Sequence, residues 1–499
     1  MKRQAPVVAL IVMVSTALAF AMLTRDHDWG DDFAAYILQA ISITQGTISD
    51  SVARTAFSTR ESSRFYAPTA APWGFPTLLA PWYLACGGLN IFCLKLINLP
   101  FFALFLLAFF AYLARRLLPV DSVIVLSILA FSPVLLAFED NILSDITFLF
   151  FSTLSILLID QWIVAPRKPE GSPARNVLLG MTLFAAFFVR TNGLLLVATL
   201  FLAQAILYVR GRPPGHDSRR VFAIALIPHA VFAVLALALL IVLPGGEAST
   251  LDHLKTLTFD TLYENFAAYI VLPSVFFWSL PFYDIVYGAL LPFLVGGAVL
   301  SHKKDFHALI YIGLSVLLFI VWPEQQGLRY LLPLVPFLIY FSYRGMVATA
   351  FGLTEKYRRA GNLLTRASWI AILAGFALTS FGLARTNLAR HRAPDNGPFA
   401  PLSAEMFDVI KTRTAPDSVI VFDKPRAMRL MTGRDTLLID RCDELSKGNF
   451  VVLRKAGATL DVDQVSPDDI RTCNQSLAVT PMFENQKYIV YRIQSEPRH

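Results

Sequence analysis

Charge is scarce in this chain. Only 16% of its 499 residues are Asp, Glu, Lys or Arg, whereas a soluble protein carries about 25%. Cysteine is scarce too. The four cysteines form neither a CxxC pair nor a Cys/His pattern, which removes the usual structural zinc modules. His216, His229, His302 and His307 likewise lack metal-ligand spacing. There is no Lys/Arg-rich tract, so the net charge of +7 does not indicate a nucleic-acid partner. There is no internal repeat of the kind many transporters carry. The first apolar segment is not followed by a small-residue cleavage site, so it reads as a span and not as a signal peptide.

Hydrophobic sequence fills the space. The chain is 55% hydrophobic, with mean hydropathy +0.55. Runs long enough to cross a bilayer recur as far as Arg385. Eleven spans are expected: Pro6–Leu23, Ile91–Ala114, Asp121–Phe138, Ile146–Val164, Val177–Val189, Leu194–Val209, Val221–Leu243, Asp284–Leu300, Phe306–Trp322, Tyr330–Tyr343 and Ala367–Leu383. Beyond Arg385 the composition turns mixed and polar. The expected architecture is therefore a polytopic α-helical membrane protein, residues 1–385, followed by a small extracytoplasmic α/β unit, residues 386–499, with outer loops at 24–90 and 139–145.

Charge orients the spans. With the N-terminus inside, eighteen Lys and Arg fall on inner segments and only three, Arg190, Lys255 and Arg329, on short outer loops; the long first loop adds four more. That bias follows the positive-inside rule. It requires Trp73–Gly88 to stay out of the span count. Pro72, Pro76 and Pro81 favour a juxtamembrane or re-entrant segment there, because proline inside a helix costs about 3 kcal/mol. An odd number of spans leaves the C-terminal unit outside. Ser403–Arg413 has helical spacing, and Ser418–Phe422, Thr436–Ile439, Phe450–Leu453 and Tyr488–Ile493 read as strands. No catalytic signature stands out in this unit, whose expected role is to cover the outer face or shape an acceptor site. Cys86 and Cys93 sit in apolar sequence and read as packing residues. Cys442 and Cys473 are the candidate pair for a disulfide in the outer unit.

On this topology the outer face collects acids and arginines. The first loop carries Asp28, Asp31 and Asp32; the second carries Glu139, Asp140 and Asp145. Arg190 lies in the tight turn between the fifth and sixth spans, and Glu324, Gln325, Gln326 and Arg329 precede the tenth. A carboxylate can take a proton from a hydroxyl, and an arginine fork matches a departing phosphate. Each residue also has a plainer reading. Asp28 can cap the following helix, and Asp31 and Asp32 can form a solvated first turn. Glu139 and Asp140 can be ordinary loop polarity, Asp145 an N-cap and Arg190 a snorkelling turn residue. Lys255 and His253 read as surface residues. An acidic cluster mirrored by a second acidic loop favours the functional reading.

Several segments together resemble the GT-C glycosyltransferases, in particular the branch of the protein O-mannosyltransferases and the aminoarabinose and galacturonic acid transferases acting on lipopolysaccharide. Asp31-Asp32 followed by Tyr36 and Ala40 resembles the acidic pair and helix of the first outer loop. Pro72-Trp73-Gly74-Phe75-Pro76 resembles the proline-rich juxtamembrane segment, Leu113-Ala114-Arg115-Arg116-Leu117 the end of the second span, and Leu143-Ser144-Asp145 the second acidic loop. Arg190-Thr191-Asn192-Gly193 resembles the basic turn, and Leu328-Arg329-Tyr330-Leu331-Leu332-Pro333 the approach to a late span. Ala415-Pro416-Asp417-Ser418-Val419 and Thr432-Gly433-Arg434 resemble the extracytoplasmic domain of bacterial members. The pair is often Asp-Glu in that family and is Asp31-Asp32 here.

The resemblance implies a hexosyl- or pentosyltransferase of a bacterial inner membrane, its N-terminus cytoplasmic and its C-terminal unit periplasmic. The donor would be a sugar on a polyprenyl phosphate. The acceptor hydroxyl would belong to a glycolipid, a polysaccharide or a protein. Asp31, beside Asp32, would be the base of an inverting attack, and Arg329 with Arg190 would hold the phosphate. Some members use a divalent metal, which makes Asp31, Asp32, Glu139 and Asp145 candidate ligands for Mg²⁺ or Mn²⁺. The competing readings are a lipid-linked oligosaccharide polymerase or ligase, and a transporter or flippase.

Overall fold

The computed structural model describes residues 4–66, 68–165, 172–211, 218–245, 257–322, 325, 327–352, 355–393, 396–455, 465, 470 and 478–494. All eleven apolar runs are helical within these residues. In chain order the helices are α1 (Ala5–Met22), α2 (Asp32–Gln45), α3 (Ile48–Glu61), α4 (Gly74–Ala85), α5 (Ile91–Lys95), α6 (Asn98–Leu113), α7 (Pro119–Ala130), α8 (Pro133–Glu139), α9 (Asp145–Ile159), α10 (Pro173–Val189) and α11 (Leu194–Val209). Then come α12 (Ser218–Val242), α13 (Phe259–Val271), α14 (Tyr283–Ser301), α15 (Phe306–Ile320), α16 (Leu328–Leu331), α17 (Val335–Gly352) and α18 (Glu355–Ala389). Among the described residues seven helices are long and apolar enough to cross a membrane, or eight if the bent pair α7–α8 is one span; α10 and α15 are apolar but shorter. The chain is a polytopic helical membrane protein.

Local chemistry explains the breaks. The α7–α8 pair bends by 51° at Ser132-Pro133. Proline removes a helical N–H and pushes the preceding residue out of helical geometry, and Ser132 is extended (ψ 121°) and caps the Leu135 N–H. The α4 helix has 12 residues, about 18 Å, too short for a hydrocarbon core of about 30 Å. Its first residue, Gly74, lies against the backbone of Phe188 and Val189 at the end of α10, where a Cβ would sit 2.5 Å from Phe188.

One sequence expectation is corrected here. Cys86 and Cys93 are not packing residues; they form a disulfide with Cα atoms 5.8 Å apart. Gly87 and Gly88 turn the chain with positive φ, and Asn90 caps α5 by accepting from the Cys93 N–H at 3.1 Å. The tight return brings the two thiols together. Cys442 is also disulfide-bonded, and its expected partner Cys473 lies outside the described residues.

The C-terminal unit holds α19 (Pro401–Arg413), α20 (Pro425–Thr432) and a five-stranded sheet of β1 (Val419–Val421), β2 (Asp435–Leu437), β3 (Phe450–Arg454), β4 (Ala478–Glu484) and β5 (Tyr488–Gln494). The strand order is β2-β1-β3-β5-β4. β1 is parallel to β2 and β3; β5 is antiparallel to β3 and β4. The four expected strands are present. β4 was not expected: it carries Pro481 at a bulge, and proline argues against a strand. This sheet does not form its core alone. Trp29, Phe33 and Ile37 of the first loop and Phe75 of α4 share one buried cluster with Met406, Phe422, Met428 and Tyr488. Asp26 fastens the same junction, accepting from the Gly397 and Phe399 N–H groups at 2.9 and 3.0 Å.

Candidate active site

The site lies where five helix ends converge. Asp31 is the N-cap residue of α2 and Asp32 its first residue. Asp145 opens α9 after Ser144. Arg190 ends α10 in extended geometry (φ −150°, ψ 134°), Arg329 lies in α16 and Arg426 in the first turn of α20. Loops that are distant in sequence meet there.

Arg329 is the hub. Its Nε donates to both Asp145 carboxylate oxygens, at 3.0 and 2.8 Å, and its Nη1 donates to Asp32 Oδ2 at 2.5 Å. Arg190 Nη1 donates to Asp145 Oδ1 at 2.5 Å. Its guanidinium also lies 4.7 Å from the centre of the Tyr330 ring, within cation–π range. Tyr36 and Ser144 join α2 to the second loop through hydroxyls 2.9 Å apart. Asp32 is held from the other side by Arg426 Nη1, at 3.2 Å from Oδ1. Asp31 accepts from the backbone N–H groups of Arg426 (3.3 Å) and Ala427 (3.0 Å).

The two carboxylates of the pair differ in charge behaviour. Burial pushes the Asp31 carboxyl up to about 6, against the pull of Arg426 and the two backbone donors. At Asp32 desolvation by the surrounding protein also opposes ionisation, although 44% of the side chain is exposed. Arg329 and Arg426 outweigh it and hold that carboxyl below its ordinary value. One carboxylate is thus poised to exchange a proton near neutrality, and its neighbour stays charged.

Other expected site residues are placed elsewhere or used differently. Glu139, the last residue of α8, is fully buried, and neither of its carboxylate oxygens has a hydrogen-bond partner among the described residues. Asp140 is tied to structure: it accepts from the buried Lys95 at 2.7 Å and from the Thr24 N–H and hydroxyl at 2.6 and 2.8 Å. Asp28 does not cap α2; it accepts from the Gly30 N–H at 3.1 Å and lies 2.9 Å from His27 Nδ1. His253, Lys255, Glu324 and Gln326 lie outside the described residues, as does His216. His229 meets Gln204 at 2.8 Å, and His302 meets the Val299 carbonyl at 2.6 Å. His307 is buried at the far end of the bundle, near the ion pairs of Arg116 with Asp160 and Asp305.

Two residues of the site were not anticipated. His27 Nε2 accepts from the Ile142 N–H at 3.0 Å, pinning the second loop to the first, while its ring stacks 4.1 Å from Phe33. That contact requires the Nδ1–H tautomer in the neutral ring, directed at Asp28. Arg426 came from a unit with no catalytic signature; its one local signal is Pro425, a residue favoured in the first turn of a helix.

The donor set does not fit a divalent cation. Among the described residues no three His, Cys, Asp or Glu side chains lie close enough to hold one. Asp32 and Asp145 are neutralised by guanidinium groups, which compete with a cation for the same oxygens.

No family model matches the chain, and no curated protein matches it. Solved structures do. ArnT from Cupriavidus metallidurans bound to undecaprenyl phosphate is 13% identical, with a TM-score of 0.56 over 97% of both chains. The Archaeoglobus fulgidus oligosaccharyltransferase AglB, in complex with an inhibitory peptide and a dolichol-phosphate, is 10% identical, with a TM-score of 0.55 over 98% of this chain and 74% of that one. The same enzyme in complex with zinc and sulfate is 9% identical, with a TM-score of 0.50 over 97% of this chain and 73% of that one. At such identities the likeness is one of fold alone: the chain shares the fold of these two membrane proteins.

Proposed function

We propose that this protein is a glycosyltransferase that moves a sugar from a polyprenyl-phosphate donor to an acceptor hydroxyl on the outer face of a bacterial inner membrane. The observation that carries this reading is Arg329, which joins Asp32 and Asp145 within one residue of Asp31. A proton acceptor near neutrality and two clustered guanidinium groups are the parts such a transfer needs. The neighbours support the donor class: the ArnT structure holds undecaprenyl phosphate and the AglB structure holds dolichol-phosphate.

In this mechanism the acceptor hydroxyl approaches Asp31. Its oxygen attacks the anomeric carbon as its proton passes to the Asp31 carboxylate. The bond from that carbon to the donor phosphate breaks, and polyprenyl phosphate leaves with the electron pair, with inversion. Arg329 and Arg190 stabilise the charge on the departing phosphate. Phosphate is a competent leaving group, so no general acid is required. Asp32 and Asp145 hold the two guanidinium groups in place until phosphate arrives. No step is assigned to a metal. Positive-inside charge and the disulfide-bonded Cys86, Cys93 and Cys442 support an outward-facing site.

Arg329→Ala tests the donor assignment. In the solubilised protein it should weaken binding of undecaprenyl phosphate at least tenfold and impair donor use more than acceptor use. Equal impairment of both would reduce Arg329 to a structural ion-pair residue.

A further inference from the structure

The C-terminal unit does more than lie over the site; it supplies groups to both members of the acidic pair. The first two free N–H groups of α20 donate to the two different oxygens of Asp31. The N-terminal end of a helix is its positive end and favours an anion there. The same turn sends Arg426 to Asp32. Arg426 is itself buried, 7% exposed, with Nη2 donating to the Pro68 carbonyl at 3.1 Å. Its Nε stands 4.0 Å from Asp31 Oδ2 and makes no hydrogen bond among the described residues.

We propose that Arg426 is a positioning residue of the transfer site, and that through it the C-terminal unit completes the Asp31–Asp32 pair. The assignment of a chemical role rests on the glycosyltransferase reading; the grip on the two carboxylates does not. Arg426 fixes Asp32 between two guanidinium groups on different parts of the chain and keeps Asp31 ionisable in a buried place. The charged and titratable groups around Asp31 are Arg426 and Lys424 from the α20 side, Asp32 from its own helix, and Tyr66 from the segment before α4. Of these Arg426 is the leading charge.

The test needs no substrate. A hydrophobic carbodiimide reacts with a protonated buried carboxyl, and peptide mass spectrometry reads its addition at Asp31 as a function of pH in the intact, solubilised protein. Labelling of the native protein should fall with a midpoint near 6. In Arg426→Gln the midpoint should rise by about one pH unit or more, because a neighbouring cation lowers a carboxyl by about 1–3 units. Arg426→Lys should restore most of the difference. An unchanged midpoint would overturn the proposal. So would a fall toward the ordinary carboxylate value, which would mean that the unit had merely come away and let water reach Asp31. Undecaprenyl phosphate binding by the native protein, measured on the same preparation, tests the glycosyltransferase reading separately. Failure to bind would count against that reading and leave the titration result standing.

Discussion

At the scale of single residues, the proposal depends on Asp31 being buried but ionisable. Its carboxyl is raised from 3.8 to about 6, so the form able to accept a proton predominates above that value and is lost below it. Transfer should therefore be flat at neutral pH and fall as pH drops through about 6, in a rate profile measured at saturating donor. Asp31→Asn should cut turnover by about 10²–10⁴-fold, the usual worth of a general base. Its thermal stability should fall by about 1–3 kcal/mol, because the amide keeps one acceptor and turns its NH2 toward the other α20 N–H, so turnover is to be read per folded protein. Asp31, Asp32, Asp145, Arg190 and Arg329 were all legible in the sequence as polar residues stranded at the ends of apolar runs. Glu139 was legible in the same way, yet its carboxylate makes no hydrogen bond among the described residues. His27 and Arg426 were not legible, since their partners, Ile142 and the acidic pair, are remote in sequence.

At the scale of elements, stability rests on close helix contacts and on polar fastenings. Gly297 of α14 and Gly345 of α17 each bring a helix backbone against the other, at Phe341 and Phe293, where a Cβ would overlap a carbonyl oxygen. Small residues allow such crossings. Gly345→Val should lower stability by about 1–3 kcal/mol or more, read as an earlier thermal transition of the solubilised protein. Lys95, fully buried, ties the end of α5 to Asp140 and Thr24. Lys95→Met should cost about 3–5 kcal/mol, because it strands a partly buried carboxylate. Its effect on activity should follow the loss of folded protein and not a change in pH profile. Helices were legible wherever an apolar run was long. The short amphipathic pieces were not: α20 spans two helical turns with two arginines, and β4 is interrupted by Pro481.

At the scale of the whole molecule, the first outer loop and the C-terminal unit share one hydrophobic cluster. Removal of residues after Arg385 should leave Trp29, Phe33 and Ile37 uncovered and yield an aggregating protein, detected by size-exclusion chromatography; a monodisperse truncated protein would contradict a shared core. A reporter fused after Arg390 should report the outer side of the membrane, and a cytoplasmic signal would relocate every residue of the site. Chain-wide hydropathy made the helical membrane architecture legible, because it is an average over many residues. The shared core was hidden, because periodicity shows which face of an element is apolar but not which distant element covers it.

The most direct test of the glycosyltransferase reading is chemical. The envelope lipids and glycans of cells lacking this protein should be compared by mass spectrometry with those of cells given back the native chain or Asp31→Asn. The expected result is the loss of one sugar from an envelope component, restored by the native chain and not by Asp31→Asn. An unchanged envelope, or full restoration by Asp31→Asn, would contradict it.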